Sequence, residues 1–166
     1  MPETFYLKRY NSPLGVYFLA SSKQGIVCVK PEEHMNANFA QWGRDSITFE
    51  DSNEYNNRLA EELDSYFAGK LRQFRVPLDL RGTEFQLQVW GYLRRIPYAE
   101  TRSYGQIAHA MARPKASRAV GRANGSNPIS IVVPCHRVIG GNGKLVGYGG
   151  GLDRKQALLD LEANAS

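Results

Sequence analysis

The stretch Ser103–Gly125, SYGQIAHAMARPKASRAVGRANG, decides how the second half of the chain folds. Tyr104, Ile107, Ala108 and Met111 recur at helical spacing, and Arg113 followed by Pro114 predicts the end of that helix. A second helix is predicted from Lys115 to Asn124, closed by Gly125. Helix, tight turn and short basic helix in succession make a helix-turn-helix pattern. Lys115, Arg118 and Arg122 stand at i, i+3 and i+7, which gives them one shared face. Between them Ala116, Ser117, Ala119, Gly121 and Ala123 are small, so the backbone can approach a groove wall closely. Gly121 costs about 1 kcal/mol of helix propensity relative to Ala, a cost that a close approach would offset.

Charge points the same way. From Thr101 to Leu152 there is no Asp or Glu, while Arg102, Arg113, Lys115, Arg118, Arg122, Arg137 and Lys144 are positive. All 16 acidic side chains lie outside this block, so the whole excess behind the net charge of +5 sits inside it. Such a block suits a polyanion. With 166 residues, 42% of them hydrophobic, the chain can build a core as one domain or two small ones. It has no apolar run near the ~18 residues of a membrane span and no secretion signal, so a soluble, cytoplasmic protein is expected.

Upstream, Thr83 to Gln86 has capping-box form, and Phe85, Val89, Trp90 and Leu93 form an apolar stripe that stops before Pro97. Arg75 to Leu80 looks like an extended linker, because Pro77 breaks helix and restricts its predecessor. A domain boundary is placed there, giving residues 1–80 and 81–166. In the first part, Phe5–Tyr10, Gly15–Ala20 and Gly25–Lys30 read as three short strands. Residues 31–51 show no clear period and are taken as a connection, and Asn53–Ala68 reads as a helix ending at Gly69. The fold class expected is α+β in two subdomains.

Downstream comes IVVPCHRVIG, residues 131–140, which sets one of two cysteines beside one of three histidines. Cys28, inside the strand Ile26–Val29, fits a buried small hydrophobe. Cys135 is different: Pro134 cannot donate a ladder hydrogen bond, so a strand from Ile129 to Val133 is expected to deliver Cys135 at its exit. Nearby cations favour the reactive thiolate, and a neighbouring histidine suits the base that takes its proton. Adjacent residues in extended chain point to opposite sides, so a bridging water would complete the path. The acid that orients the base is Asp153, Asp160 or Glu162 on a final helix of about residues 153–163. The two cysteines and three histidines show no zinc-finger spacing, so no metal is expected. Residues 140–151 hold seven glycines in twelve positions without P-loop spacing. That loop reads as backbone lining a tight pocket, with Tyr148 as a flat wall.

The blocks Arg118–Gly121 (RAVG), Asn127–Pro128, Pro134–Val138 (PCHRV), Gly147–Tyr148 and Glu162 resemble the methylated-DNA–protein-cysteine methyltransferases, the alkylguanine repair family. The likeness is dense over 82–162 and reaches Tyr66–Gly69 in the first half. It implies an N-terminal ribonuclease H-like subdomain, a small antiparallel sheet with a helix, and a C-terminal winged-helix-like subdomain. It implies stoichiometric, irreversible transfer of the alkyl group of O6-methylguanine, and of O4-methylthymine, to Cys135. His136 would act as base through a water, Glu162 would hold the imidazole, and Asn127 would link the recognition helix to the active-site loop. Tyr104 would contact the flipped nucleotide, Tyr148 and Gly149 would cover the base, and the carbonyls of Cys135 and Val138 would accept its amine. Gly149 stands where some relatives carry Ser, so a side-chain contact is lost there.

Arg118 would fill the gap left by the flipped base, with Lys115, Ala119 and Arg122 beside it in the minor groove of double-stranded DNA. No cofactor and a monomer are implied. A non-enzymatic lesion sensor is the rival reading, opposed by Cys135. A cysteine hydrolase is opposed by the acid-free basic block, and a plain helix-turn-helix regulator by the lack of a spare apolar helix for dimerisation.

Overall fold

The computed structural model describes residues 3–35, 47–146, 148 and 151–165, with residues 47–50 described by their backbone. The chain divides into two compact units, Met1–Leu80 and Arg81–Ser166. In the first, strands β1 (Glu3–Ser12), β2 (Gly15–Ser21) and β3 (Ile26–Pro31) form an antiparallel meander, with Tyr10 opposite Tyr17 and Leu19 opposite Val29. The residues taken from sequence as a mere connection contain a fourth strand, β4 (Ile47–Asp51). It pairs parallel with β1, giving the sheet order β3-β2-β1-β4. Five residues carry too short a pattern to show a period, so this strand was not legible.

Helix α1 (Glu54–Phe67) lies on β1 and β2 and buries Leu59, Leu63 and Tyr66, spaced i, i+4, i+7. Asn53 caps its start by accepting from the backbone N–H groups of Tyr55 and Asn56. Gly69, at φ 75°, ends it in a Schellman motif, with Gly69 N–H on Tyr66 O and Lys70 N–H on Ser65 O. The segment expected as a linker is extended, but it is also tied down. Leu78 forms a parallel bridge to Ile26, with Ile26 N–H on Pro77 O at 2.9 Å and Asp79 N–H on Ile26 O at 2.7 Å.

The second unit contains α2 (Glu84–Leu93), a short strand β5 (Arg102–Ser103), α3 (Tyr104–Ala110), α4 (Ser117–Gly125), β6 (Val138–Ile139) and α5 (Leu152–Ala165). Thr83 opens α2 and Ser103 opens α3, each with a complete capping box through Gln86 and Gln106. Val89, Trp90 and Leu93 of α2 are buried with Ile107 and Val120, and the Trp90 indole donates to Ala123 O at 2.8 Å. That bond anchors α4, the basic helix of the helix-turn-helix. β5 and β6 pair in parallel, with Arg102 opposite Val138.

Two boundaries in this unit differ from expectation. α3 stops at Ala110, three residues before the predicted Arg113. Ala112, at φ 59°, closes a Schellman motif in which Arg113 N–H reaches Ala108 O. α4 starts at Ser117, so Lys115 stands in the preceding turn and does not share a helical face with Arg118 and Arg122. Among the described residues no helix is long and apolar enough to cross a membrane.

Candidate active site

Cys135 does not leave a strand. Residues 129–133 form a tight turn, with Val132 N–H on Ser130 O and Val133 N–H on Ile129 O, and Ile131 sits in the left-handed region at φ 72°. A β-branched residue rarely adopts that conformation, which costs of order 1–3 kcal/mol, so the surrounding contacts must hold it. Asn127 does so. Its amide N–H groups reach Val133 O at 2.9 Å and Ile129 O at 3.3 Å, and its Oδ1 accepts from Ile129 N–H at 3.0 Å. An apolar run reads as a strand by composition, but this one is wrapped around a buried asparagine.

Behind that turn Cys135, His136 and Arg137 form one turn of 3-10 helix, and all three are buried. The side chains of His136 and Arg137 converge on Glu162 from α5, itself fully buried. The Glu162 carboxylate meets His136 Nε2 at 2.7 Å and accepts from Arg137 Nε at 2.8 Å, Arg137 Nη2 at 3.1 Å and Ala99 N–H at 3.1 Å. Arg137 Nη1 donates to Ile96 O at 2.8 Å. Burial alone would push the Glu162 carboxyl up, but the hydrogen bonds from His136 and Arg137, with the Arg137 charge, outweigh it. They hold the group well below the usual carboxylate range.

Burial is also the main influence on His136 and lowers its pKa. The Glu162 carboxylate opposes that shift, while the Arg137 and Lys155 cations add to it. The imidazole is therefore neutral at pH 7. Because Glu162 accepts a proton at Nε2, the lone pair is at Nδ1, a buried atom with no hydrogen-bond partner among the described residues.

Lys155, also fully buried on α5, points into the same site. Its ammonium donates to Val138 O at 2.5 Å and to Val146 O at 3.0 Å, and it couples electrostatically to Cys135. Tyr104, half-buried at the start of α3, donates to the same Val146 O at 2.9 Å. Burial raises the Tyr104 pKa, a negative charge on Cys135 raises it further, and a hydrogen bond from Asn124 lowers it. The Asn124 amide also donates to Cys135 O at 3.4 Å.

The structure thus brings Cys135, His136, Glu162, Asn127, Tyr104 and Val138 into one unit. Of the acids left open by sequence, Glu162 is the one on His136. The Cys135 carbonyl already accepts from Val138 N–H and from the Asn124 amide, and the Val138 carbonyl accepts from Lys155. Tyr148 is partly buried, and Gly149 lies outside the described residues. Arg118 and Arg122 are exposed on α4, with Ala119 partly buried between them and Lys115 exposed in the turn before. Sequence reasoning had Arg137 only as a cation near the thiol and did not single out Lys155 or Asn124. A signal existed for one of them: Lys155, Leu158 and Glu162 fall at i, i+3, i+7 on the buried face of α5, where two charges call for partners.

Stability should record this wiring. His136 and Glu162 both have depressed folded-state pKa values, so the unfolded chain binds more protons once the pH falls below their ordinary values of 6.5 and 4.5. Urea unfolding is expected to show stability falling below pH 6.5, by up to about 1.4 kcal/mol per pH unit for each proton, and falling again below pH 4.5. In His136→Gln the first decline should disappear. A wild-type profile flat from pH 7 to 5 would contradict the buried neutral imidazole.

Comparison with known proteins places these features in a family. Residues 5–80 match the model for the 6-O-methylguanine DNA methyltransferase ribonuclease-like domain, and residues 84–164 match its DNA binding domain. A methylated-DNA–protein-cysteine methyltransferase of Mycolicibacterium paratuberculosis is 66% identical over 106 residues, 64% of this chain and 64% of that one. The protein of the same name from Mycobacterium tuberculosis H37Rv is 48% identical over 158 residues, 95% of this chain and 92% of its own. The crystal structure of Mycobacterium tuberculosis OGT in complex with DNA superposes with a TM-score of 0.84 at 45% identity, over 98% of this chain and 94% of that one.

Proposed function

Because the chain belongs to the 6-O-methylguanine DNA methyltransferase family, we propose that Cys135 is its alkyl acceptor, prepared by His136, Glu162 and Asn127. The protein binds DNA and repairs it by direct reversal, moving the alkyl group of a methylated base onto its own cysteine. The observation that supports the residue assignment is the His136–Glu162 pair. A carboxylate held ionised fixes the imidazole with its proton on Nε2 and its lone pair on Nδ1, in the same turn as the thiol.

The thiol proton passes to His136 Nδ1 through a bridging water, and the sulfur attacks the alkyl carbon. The S–C bond forms as the C–O bond breaks, the electron pair goes to the guanine, and a proton restores the neutral base. Tyr104 contacts the extruded nucleotide and donates toward the departing guanine, where a placed donor stabilises developing charge. The carbonyls of Cys135 and Val138 accept the exocyclic amine, and Tyr148 and Gly149 cover the base. Water cannot cleave the thioether product, so each molecule reacts once.

Arg118 and Arg122 on α4, with Lys115 and Ala119, supply the DNA face, and α4 enters the minor groove. Extruding a base costs a few kcal/mol, which phosphate contacts offset without reading sequence. Arg118 fills the gap in the stack. The protein works as a monomer in the cytoplasm and also accepts O4-methylthymine. A non-enzymatic lesion sensor would need no acceptor, and the wiring around Cys135 argues against it.

Mixing one equivalent of protein with a duplex carrying O6-methylguanine should add one methyl to the peptide containing Cys135 by intact and peptide mass. No adduct, or repeated turnover, would reject the assignment. Arg118→Ala should slow transfer from duplex more than transfer from the free base, whereas equal slowing would remove its place in the stack.

A further inference from the structure

Arg137 is 7% exposed beside the His136–Glu162 pair, and no step of the transfer touches it. Its donors are all committed. Nε donates to Glu162 Oε1 at 2.8 Å, Nη2 to Glu162 Oε2 at 3.1 Å and Nη1 to Ile96 O at 2.8 Å. The guanidinium also lies 5.6 Å from the centre of the Tyr98 ring. The fork thus engages both carboxylate oxygens. The oxygen it meets through Nη2 is the one that His136 Nε2 contacts at 2.7 Å.

The balance of charge in this group decides what the imidazole can do. A buried carboxylate facing a histidine alone favours the doubly protonated ring, because imidazolium and carboxylate then neutralise one another. Such a ring has no lone pair and cannot take a proton from a thiol. With a guanidinium on both oxygens the carboxylate's charge is already met, and a second cation at His136 would leave a positive charge unbalanced in a buried site. The surroundings supply nothing to offset it. Among the described residues Glu162 is the one carboxylate that either His136 or Arg137 contacts. From the segment after α2 comes the uncharged Ala99 N–H, the Cys135 thiol lies in the same turn, and Lys155, two turns earlier on α5, adds another cation bonded to Val138 O and Val146 O.

We infer that Arg137 is a positioning residue for the proton transfer: by pairing with Glu162 it takes up that carboxylate's charge, so that His136 rests against Glu162 uncharged, with its proton on Nε2 and its lone pair on Nδ1. This rests on the reading of His136 as the base for Cys135. The Arg137 cation, after burial, is among the influences that lower the His136 pKa, which has the same sense. Nucleophile, base and the cation that keeps the base neutral are then three consecutive residues of one turn.

Nitrogen-15 NMR of the His136 ring and the pH dependence of single-turnover methyl transfer, both on the full-length chain, test this. In Arg137→Gln the ring should be an imidazolium at pH 7, and the acid limb of the transfer rate should move from below to above the ordinary histidine value of 6.5. Transfer at pH 7 should fall about tenfold, the effect of a ring pKa one unit above the assay pH, and return to within about threefold of wild type at pH 9. Arg137→Lys brings the charge without the planar fork, so it should restore the neutral ring and the wild-type acid limb, which a merely structural role of the fork would not do. With Glu162→Gln added to Arg137→Gln the ring should again be neutral, because no carboxylate remains to charge it. A neutral ring at pH 7 in Arg137→Gln, or a rate lowered by the same factor at every pH, would overturn the proposal. So would an imidazolium at pH 7 in Arg137→Lys, the variant that decides if Arg137→Gln does not fold. If wild-type Cys135 gains no methyl, the reading of the site has failed, while the ring state in the Arg137 variants still reports on Arg137.

Discussion

The Glu162 carboxylate is the constraint on which the second unit depends. It is fully buried and receives two hydrogen bonds from Arg137, one from Ala99 N–H and a short contact from His136. A lone carboxylate in such a place would take up a proton, and the guanidinium fork prevents it. Removing either partner of a buried pair of this kind typically costs about 3–5 kcal/mol, because the other charge is left uncompensated. The pair also joins α5 to the turn bearing Cys135 and, through Arg137 Nη1 and Ile96 O, to the segment after α2.

Structure and chemistry share these atoms. The same oxygen that helps neutralise Arg137 also holds His136 Nε2, and the imidazole keeps its lone pair on the buried Nδ1. Asn127 gives a second rigid point by wrapping residues 129–133 into a turn that includes the left-handed Ile131. Lys155 gives a third, bridging Val138 O and Val146 O. A sulfur nucleophile that reacts once gains nothing from mobility, and each neighbour of Cys135 is fixed from at least one side.

Much of this was legible in the residues because it is local. Thr83 with Gln86 announces a helix start, Gly69 a helix end, and the lone Cys-His pair behind a proline marks the reactive turn. Other features were not legible because their causes are distant in sequence. β4 pairs with β1 across more than forty residues, and five residues of strand carry little pattern of their own. The apolar run 129–133 imitates a strand, since composition does not reveal that Asn127 takes its backbone hydrogen bonds. The end of α3 was misjudged because Pro114 is the louder signal, whereas Ala112 closes the helix with a conformation more usual for glycine. Arg137 was visible only as one of several cations, and its partner lies 25 residues away. Spacing alone left Glu162 among three acids, because it does not tell which face of α5 is buried.

The tautomer of His136 is the most direct point at which to test this account. Nitrogen-15 NMR of the unmodified protein at pH 7, with ring nitrogens assigned against His136→Gln, distinguishes a protonated from an unprotonated ring nitrogen. A neutral imidazole carrying its proton on Nε2, with Nδ1 bare, is the predicted state. A proton on Nδ1, or an imidazolium, would mean that Glu162 does not set the ring for the thiol.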